Sequence, residues 1–216
     1  MTTAATALPL LGLRITAGPV ELRGITDDLL GPLADIAIRG IHDPDFMPFG
    51  VPWSIAPAEE MPRNLAQFHW GQRANFSPEK WSMELAVLFH GELVGSQGFG
   101  TRDYLVTRVG ETGSWLGREF HGRGIGTAMR KVICAFIIDH LDAAFITSAA
   151  FADNPASLAV SRKCGYRENG VSVVKRMDKP ARYQRLLLEP GNLIRYEHEL
   201  SVEGVPEFRR SIGLDA

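Results

Sequence analysis

A glycine-punctuated segment between an apolar strand end and a long amphipathic helix constrains the fold of this chain more than any other feature. Residues 115–127 read Trp-Leu-Gly-Arg-Glu-Phe-His-Gly-Arg-Gly-Ile-Gly-Thr. The apolar residues that follow, up to Leu141, recur at helical spacing. A loop of this kind at a helix N-terminus leaves several backbone N–H groups free, and such groups can hold a diphosphate.

A second segment, residues 154–166, matches the first. It reads Asn-Pro-Ala-Ser-Leu-Ala-Val-Ser-Arg-Lys-Cys-Gly-Tyr, so it opens a helix with an Asn cap and ends it with Gly. About one strand–helix unit separates the two segments. A glycine loop alone would be weak support for a binding site, whereas two matched pieces are far more specific.

Composition narrows the classes of function. A chain of 216 residues forms one large domain with ample core. A net charge of −2 gives no basic surplus, so no nucleic-acid partner is expected. Cys134 and Cys164 are not spaced as a redox or zinc pair, and no metal-ligand spacing is present, so we expect no metal and a reducing, cytoplasmic location.

The sequence contains no membrane or export signal. The longest apolar run, residues 132–138, has seven residues, and a spanning helix needs about 20. The N-terminus lacks a charged region and is interrupted by Pro9. We expect residues 1–12 to form a flexible tail and no membrane partner.

Periodicity predicts an alternation of strands and helices. The predicted strands are residues 13–16, 20–24, 81–90, 93–100, 109–117, 144–151, 171–175 and 183–188, and the predicted helices are 26–39, 57–76, the segment after the glycines, and the segment after Asn154. This order indicates a mixed α/β fold. The prediction is one domain over residues 13–190, with a C-terminal extension over 191–216.

These two segments and this order resemble the GNAT superfamily of N-acyltransferases, in its RimL-like branch. In that family a loop Gln/Arg-x-x-Gly-x-Gly/Ala holds the diphosphate of an acyl-coenzyme A. The matching positions here are His121, Gly124 and Gly126, and His121 departs from the usual Gln or Arg. The resemblance implies an α/β (α+β) fold: a central, mostly antiparallel mixed sheet with a splayed strand pair and flanking helices.

The resemblance also implies which residues bind the donor. The second segment looks like the signature Asn-x-x-Ser-x-x-Val-x-x-Lys-x-Gly-Phe/Tyr, on a helix beside the pantetheine arm. Trp115 and Leu116 would bind through their backbones, while their side chains pack in the core. The implied acyl-CoA-binding residues are Trp115, Leu116, His121, Gly122, Arg123, Gly124, Ile125, Gly126, Thr127, Asn154, Ser157 and Lys163.

The acyl group of the donor is less constrained. The loop at residues 42–53 is similar to that of actinobacterial members of the branch, one of which is described as a protein succinyltransferase. The donor is therefore expected to be acetyl-CoA or succinyl-CoA. A larger donor acid would need a cationic partner, for which Arg39, Arg102 and Arg108 are candidates, although each can equally be an unpaired surface residue.

The chemistry implied is direct attack of an amine on a thioester, which requires a base for the amine proton. Glu111, on the strand before the glycines, is the predicted base; the alternative is an exposed strand-end carboxylate. Rival candidates are His42, Asp43 and Asp45 of the loop and, more weakly, Glu84. The loop residues can equally fix turns or pack the loop.

Ser161 is the candidate on the leaving-group side. It lies four residues before Gly165, where family members often place a Tyr or Ser hydroxyl near the sulfur. There it would hydrogen-bond the developing thiolate. The alternative is a hydroxyl bonded to a carbonyl one turn back in the helix.

The sequence thus predicts an N-acyltransferase whose partners are acyl-CoA and an amine of a protein or small molecule. The alternative is a non-catalytic acyl-CoA-binding module, a sensor or assembly unit. A nucleotide-phosphate binder is weaker, since no Lys-Ser/Thr pair follows the glycines. The extension over 191–216 is expected to cover an edge strand or reach a second subunit, in a homodimer or higher homo-oligomer.

Overall fold

A computed structural model describes residues 3–215 of the chain, which form one sheet flanked by helices. The strands are Arg14–Ala17 (β1), Val20–Gly24 (β2), Lys80–Phe89 (β3), Glu92–Arg102 (β4), Val109–Leu116 (β5), Phe145–Phe151 (β6), Arg167–Arg176 (β7), Lys179–Leu188 (β8) and Ser201–Glu203 (β9). The α-helices are Ala4–Ala7 (α1), Asp27–Arg39 (α2), Met61–Ala74 (α3), Tyr104–Thr107 (α4), Ile125–Leu141 (α5), Pro155–Cys164 (α6) and Val205–Ser211 (α7).

The strands lie in the order β7-β8-β6-β5-β4-β3-β2-β1-β9. Every neighbouring pair is antiparallel except β5 and β6, which run parallel. The predicted mixed, mostly antiparallel sheet is confirmed.

The parallel pair is short, and this creates the splay. β5 and β6 share three residue pairs, of which Glu111 opposite Thr147 is the last. Beyond it β5 pairs only with β4 and β6 only with β8, so the strands diverge as the resemblance implied. We call the gap between the diverging strands the splay. Its two sides, which we call its arms, are β5 and β6. Its apex lies at Thr112 on β5 and Ser148 on β6, the first residue of each strand beyond the last β5–β6 pair.

The two faces of the sheet are covered differently. Helix α5 packs on one face against β1, β2 and β4, and α6 packs beside it. The predicted apolar stripe of α5 is fully or almost fully buried; it consists of Met129, Val132, Ile133, Phe136, Ile137 and Leu141. Helices α2 and α3 cover part of the opposite face. None of the described helices is long and apolar enough to cross a bilayer.

Both ends of the chain are packed against this domain. Residues 4–12, expected to be a flexible tail, form α1 and a 3-10 turn at Pro9–Gly12, with Leu10 in the core; Met1 and Thr2 lie outside the described residues. In the C-terminal extension β9 pairs with β1, and Phe208 and Ile212 are fully buried. The apolar residues of the extension thus serve the core of their own chain.

Candidate functional site

The glycine loop, residues 117–126, joins the end of β5 to the first turn of α5 and has a backbone that requires glycine at two positions. Gly122 has φ +73° and Gly124 has φ +80°, in the left-handed region that side-chain-bearing residues rarely adopt. A Cβ at either position would meet no atom within 4 Å. The space in front of this glycine loop is therefore open.

The glycine loop presents a row of free donors. The first hydrogen bonds of α5 are from the N–H groups of Thr127 and Ala128 to the carbonyl of Gly124, both at 3.1 Å. Within the described chain, the N–H groups of residues 122–126 donate to no protein acceptor. Five consecutive free donors at the positive end of a helix dipole suit a diphosphate.

His121 supports this loop from within. Its Nε2 lies 3.1 Å from the carbonyl oxygen of Leu116, an acceptor, so this nitrogen carries the hydrogen and donates. The ring is thus attached to the end of β5. The structure gives His121 a place in the loop's own architecture, and its contact with a ligand stays a prediction.

A basic groove of about 400 Å³ opens beside the glycine loop. Arg123, Lys131 and Lys163 line it, and within the described residues none of these three side chains has a carboxylate at ion-pair distance. Glu197 also lines the groove and its carboxylate offsets part of this charge, so the lining carries a net positive charge. Of the predicted binding residues, Arg123, Gly124, Thr127 and Lys163 belong to it.

The far wall of the basic groove comes from the segment after β8, which the sequence did not indicate. Arg195 and Tyr196 line the groove from this side. The segment is held there by the Ile194 N–H, which donates to the Cys164 carbonyl at 3.0 Å, and by a bidentate pair of Arg195 with Asp139 at 2.6 and 2.8 Å. Only tertiary packing brings these residues to the groove.

The end of β5 leads from the glycine loop into the splay. The side chain of Trp115 packs on Trp53, with ring centroids 5.7 Å apart, and Leu116 is buried in the core. On one side their backbones pair with β4, opposite Ser96 and Gly95. No described strand pairs with their other side. That edge can hydrogen-bond an extended ligand.

Helix α6 presents Asn154 at its N-terminus. The Oδ1 of Asn154 accepts a hydrogen bond from the Ser157 N–H at 3.1 Å, so the residue is the predicted cap. Its Nδ2 has no acceptor within residues 3–215. The amide can therefore cap the helix and still donate to a ligand.

Ser161 is completely buried on α6. Its exposed fraction is 0 %, and its Oγ has no hydrogen-bond partner among the described residues. The hydroxyl does not bond a carbonyl one turn back. A buried unsatisfied hydroxyl is unfavourable, so it is available to a ligand, but no open path leads to it from the groove.

Glu111 lies at the last β5–β6 pair, next to the apex. Although the residue as a whole is exposed, partial burial of the carboxylate raises its pKa, and the charges of Arg185 and Arg130 oppose this rise. A carboxylate whose pKa moves toward neutrality is a better general base for an amine. Position and environment both suit the role predicted for Glu111.

The rival candidates in the loop at residues 42–53 are engaged in building that loop. His42 uses both ring nitrogens, with Nδ1 2.8 Å from the Asp43 carbonyl and Nε2 2.7 Å from the Ser54 hydroxyl. The carboxylate of Asp43 accepts from the Asp45 N–H at 3.1 Å, which fixes a turn. Through Trp53 the loop packs on Trp115 near the end of β5.

Among the rival candidates for the general base, Glu84 has the carboxylate with the largest shift in pKa. Burial raises its pKa to about 7. However, it borders a small cavity of about 10 Å³, room for one water and too small for an amine substrate. It also lies over Gly98, where a Cβ would be 2.6 Å from its Oε1. Glu84 therefore lacks the access that Glu111 has.

The proposed cationic partners of a larger acyl group are not at the apex. Arg39 pairs with Glu119 at 3.1 Å on the surface. Arg108 precedes β5 and lies over the Tyr104 ring, at the end of β5 away from the splay, and Arg102 ends β4 at the same side.

The cation that does lie at the apex, Arg130 of α5, was missed. It is 4 % exposed. Its Nη1 donates to Thr112 Oγ1 and Ser148 Oγ, both at 3.1 Å, its Nη2 to Ser114 Oγ at 2.8 Å, and its Nε to Gln97 Oε1 at 3.3 Å. A lone charge inside the apolar stripe of α5 was the available signal.

Comparison with known proteins agrees with this geometry. Residues 20–167 match the model of a protein family described as the acetyltransferase (GNAT) domain. A curated relative, the putative ribosomal N-acetyltransferase YdaF of Bacillus subtilis (strain 168), is 31 % identical over 88 residues, which cover 41 % of this chain and 48 % of that protein. The chain thus matches about half the length of this relative.

Two solved structures share the fold. Mycobacterium smegmatis RimJ, in complex with CoA-disulfide, superposes with a TM-score of 0.70 at 20 % identity, covering 85 % of this chain and 88 % of that one. A putative ribosomal-protein-serine acetyltransferase from Vibrio cholerae gives a TM-score of 0.64 at 17 % identity, covering 82 % and 97 %.

Proposed function

Because this chain belongs to the GNAT acetyltransferase family, we propose that it transfers an acyl group from an acyl-coenzyme A to an amine. The observation that carries the proposal is the row of five free N–H groups at residues 122–126, beside a basic groove and at the mouth of a strand splay. These three features together provide places for the phosphates, the nucleotide and the thioester arm of the donor.

The phosphates of the donor lie at the glycine loop. Its free N–H groups bind the diphosphate, and the unpaired cations Arg123, Lys131 and Lys163 face the remaining phosphate on the ribose. Tyr196 lines the same groove and offers a ring to the adenine. In this arrangement the C-terminal extension contributes to donor binding.

The pantetheine arm follows the free edge of β5 into the splay. Its amides pair with the edge of β5 at Trp115 and Leu116 that no described strand covers, on one side, and with Asn154 on the other. Four residue steps of about 3.3 Å separate Leu116 from Thr112, a path of about 13 Å along the strand. The thioester therefore reaches the apex, beside Glu111.

The reaction is a direct transfer. The amine nitrogen bonds to the carbonyl carbon of the thioester, and Glu111 accepts the proton that the amine loses. The bond between the carbonyl carbon and sulfur breaks, its electron pair goes to sulfur, and the thiolate takes up a proton to give free CoA. Ser161 assists by hydrogen bonding if the bound arm reaches its buried hydroxyl.

Acetyl-CoA or succinyl-CoA is the proposed donor, and a protein or small-molecule amine the acceptor. The names of the Bacillus relative and of the Vibrio cholerae structure support acetyl transfer. The loop at residues 42–53 and the turn that follows it also expose apolar side chains, with Val51 71 % and Ile55 51 % exposed, which an acceptor peptide could cover.

Calorimetric titration with acetyl-CoA, succinyl-CoA and free CoA tests the donor site. Micromolar binding of at least one is expected, and no binding to folded protein would overturn the proposal. Thiol release from the bound donor with a panel of amines and peptides then tests transfer. Binding without turnover on any acceptor would favour the non-catalytic module instead.

A further inference from the structure

Arg130 is a buried cation without an anion. It is 4 % exposed, and its described partners are three hydroxyl groups and one amide oxygen, none of them charged. Burying a charge without an opposite charge is costly, and hydrogen bonds from neutral groups offset only part of that cost. The proposed donor brings negative charge to this point.

The hydrogen bonds of Arg130 define the apex. Thr112 and Ser148 are the first residues beyond the last β5–β6 pair, one on each arm, and the Nη1 of Arg130 donates to both side chains at 3.1 Å. Ser114, two residues further along β5, accepts from Nη2. One side chain thus links both arms where they begin to diverge, and it fixes the width of the splay.

The surrounding titratable groups do not neutralise Arg130 at neutral pH. They are Cys134 of α5, Cys164 of α6, Tyr166, Glu111 of β5 and Arg185 of β8. Burial raises the pKa of Cys134 to about 11 and that of Tyr166 well above its usual value, so both stay uncharged. Glu111 is the described anion on which Arg130 acts, across a distance too long for an ion pair.

We propose that Arg130 is a positioning residue for the transfer step: it fixes the spacing of the two arms of the splay and directs a fixed positive charge at the sulfur of the donor. This inference rests on the proposed function. As the amine nitrogen bonds to the carbonyl carbon, the C–S bond breaks and its electron pair goes to sulfur. The charge of Arg130 stabilises that thiolate until it takes up a proton.

This role is complementary to that of Ser161. The Ser161 hydroxyl acts only by direct contact, and it is enclosed. A guanidinium acts through space in a site of low dielectric, so Arg130 needs no open path to the sulfur. It also orients the hydroxyl groups of Ser114 and Ser148, which accept its hydrogens and keep their own for another acceptor.

The first test uses the wild-type protein and free CoA. The ultraviolet absorbance of the thiolate is followed with pH for CoA in solution and for CoA bound to the protein. We expect the bound thiol to ionise at a pH lower by about one unit or more. Bound CoA whose thiol ionises at or above the solution value would overturn the role of Arg130, whereas failure of CoA to bind at all would overturn the proposed function.

Variants then separate the charge from the packing. Arg130→Gln should return the thiol titration to the solution value and lower kcat at least about tenfold, with a smaller change in KM for the donor. Arg130→Lys keeps the charge and should keep the lowered titration. The control is Arg210→Gln, an exposed arginine of α7. A lowered titration that persists in folded Arg130→Gln would overturn the proposal even if kcat falls; if that variant does not fold, the wild type and Arg130→Lys decide.

Discussion

His69 of α3 and Glu84 of β3 line the same small cavity from opposite sides, and burial keeps both of them uncharged. It lowers the pKa of His69 from 6.5 to about 4 and raises the pKa of Glu84 from 4.5 to about 7. Between pH 4.5 and 6.5 the folded protein therefore holds a neutral pair, whereas both side chains are charged in the unfolded chain.

The pair predicts opposing pH dependences of stability. The stability from Glu84 is fully present below pH 4.5 and is lost as pH rises through about 7. The stability from His69 is present above pH 6.5 and is lost as pH falls through about 4. In the wild type these slopes largely cancel between pH 4.5 and 6.5, so the free energy of unfolding changes little there because of this pair.

Single variants should reveal each slope. In Glu84→Gln the free energy of unfolding should rise with pH between about 4 and 6.5, by up to about 3 kcal/mol, because only His69 still titrates. In His69→Gln it should fall by a similar amount between about 4.5 and 7. Urea unfolding at a series of pH values measures both. Two variants with the same pH dependence as the wild type would show that neither group is held neutral.

Glu111→Gln tests the general base. A base must be deprotonated, so kcat/KM of the wild type should rise with pH through the raised pKa of Glu111. The variant should lose this limb and about 10²-fold or more in kcat. Glu92→Gln, at the exposed turn that opens β4, is the matched control. An unchanged pH profile in Glu111→Gln would assign the base to another group.

Local sequence patterns predicted many of the helices and strands of the fold. The alternation in β3, the 3.6-residue period in α5 and the Asn and Gly caps of α6 each reflect a local preference, and the elements were found close to their predicted bounds. Boundaries moved where tertiary pairing decides: β7 starts at Arg167, before the predicted 171, because it continues beside β8 across an irregular step.

The sequence predicted only those parts of the site whose residues lie close together along the chain. The glycine loop before α5 and the Asn cap of α6 were predicted from their local sequence, whereas the left-handed conformations of Gly122 and Gly124 came from the structure. At the apex, Arg130 of α5 contacts Thr112 of β5 and Ser148 of β6. The spacing of these residues along the sequence does not predict that contact. The groove likewise depends on a segment after β8 that folds back over α6. Non-local contacts of this kind are invisible to periodicity.

Gly124→Ala tests the glycine loop, and Gly91→Ala is its matched control. Both glycines have φ +80° and open space around a new Cβ, so both variants should cost about 1–2 kcal/mol of stability through backbone strain. Only Gly124→Ala should also weaken acyl-CoA binding, because its methyl group projects where the phosphates approach the N–H groups. Calorimetry and thermal unfolding of both proteins make the comparison. Equal affinities in the two variants would place the phosphates elsewhere.

Lys163→Gln tests whether the basic groove binds the ribose phosphate. Removing a charge-assisted hydrogen bond to that phosphate should weaken CoA binding about tenfold, while the affinity for dephospho-CoA, which lacks the phosphate, should hardly change. Lys175→Gln, on the exposed end of β7 where the lysine pairs with Asp178 at 3.4 Å, controls for the removal of one positive charge from the surface. If Lys163→Gln weakened both ligands equally, the lysine would act on the shared diphosphate instead. In that case the ribose phosphate would have to be bound by Arg123 or Lys131, the other unpaired cations of the groove.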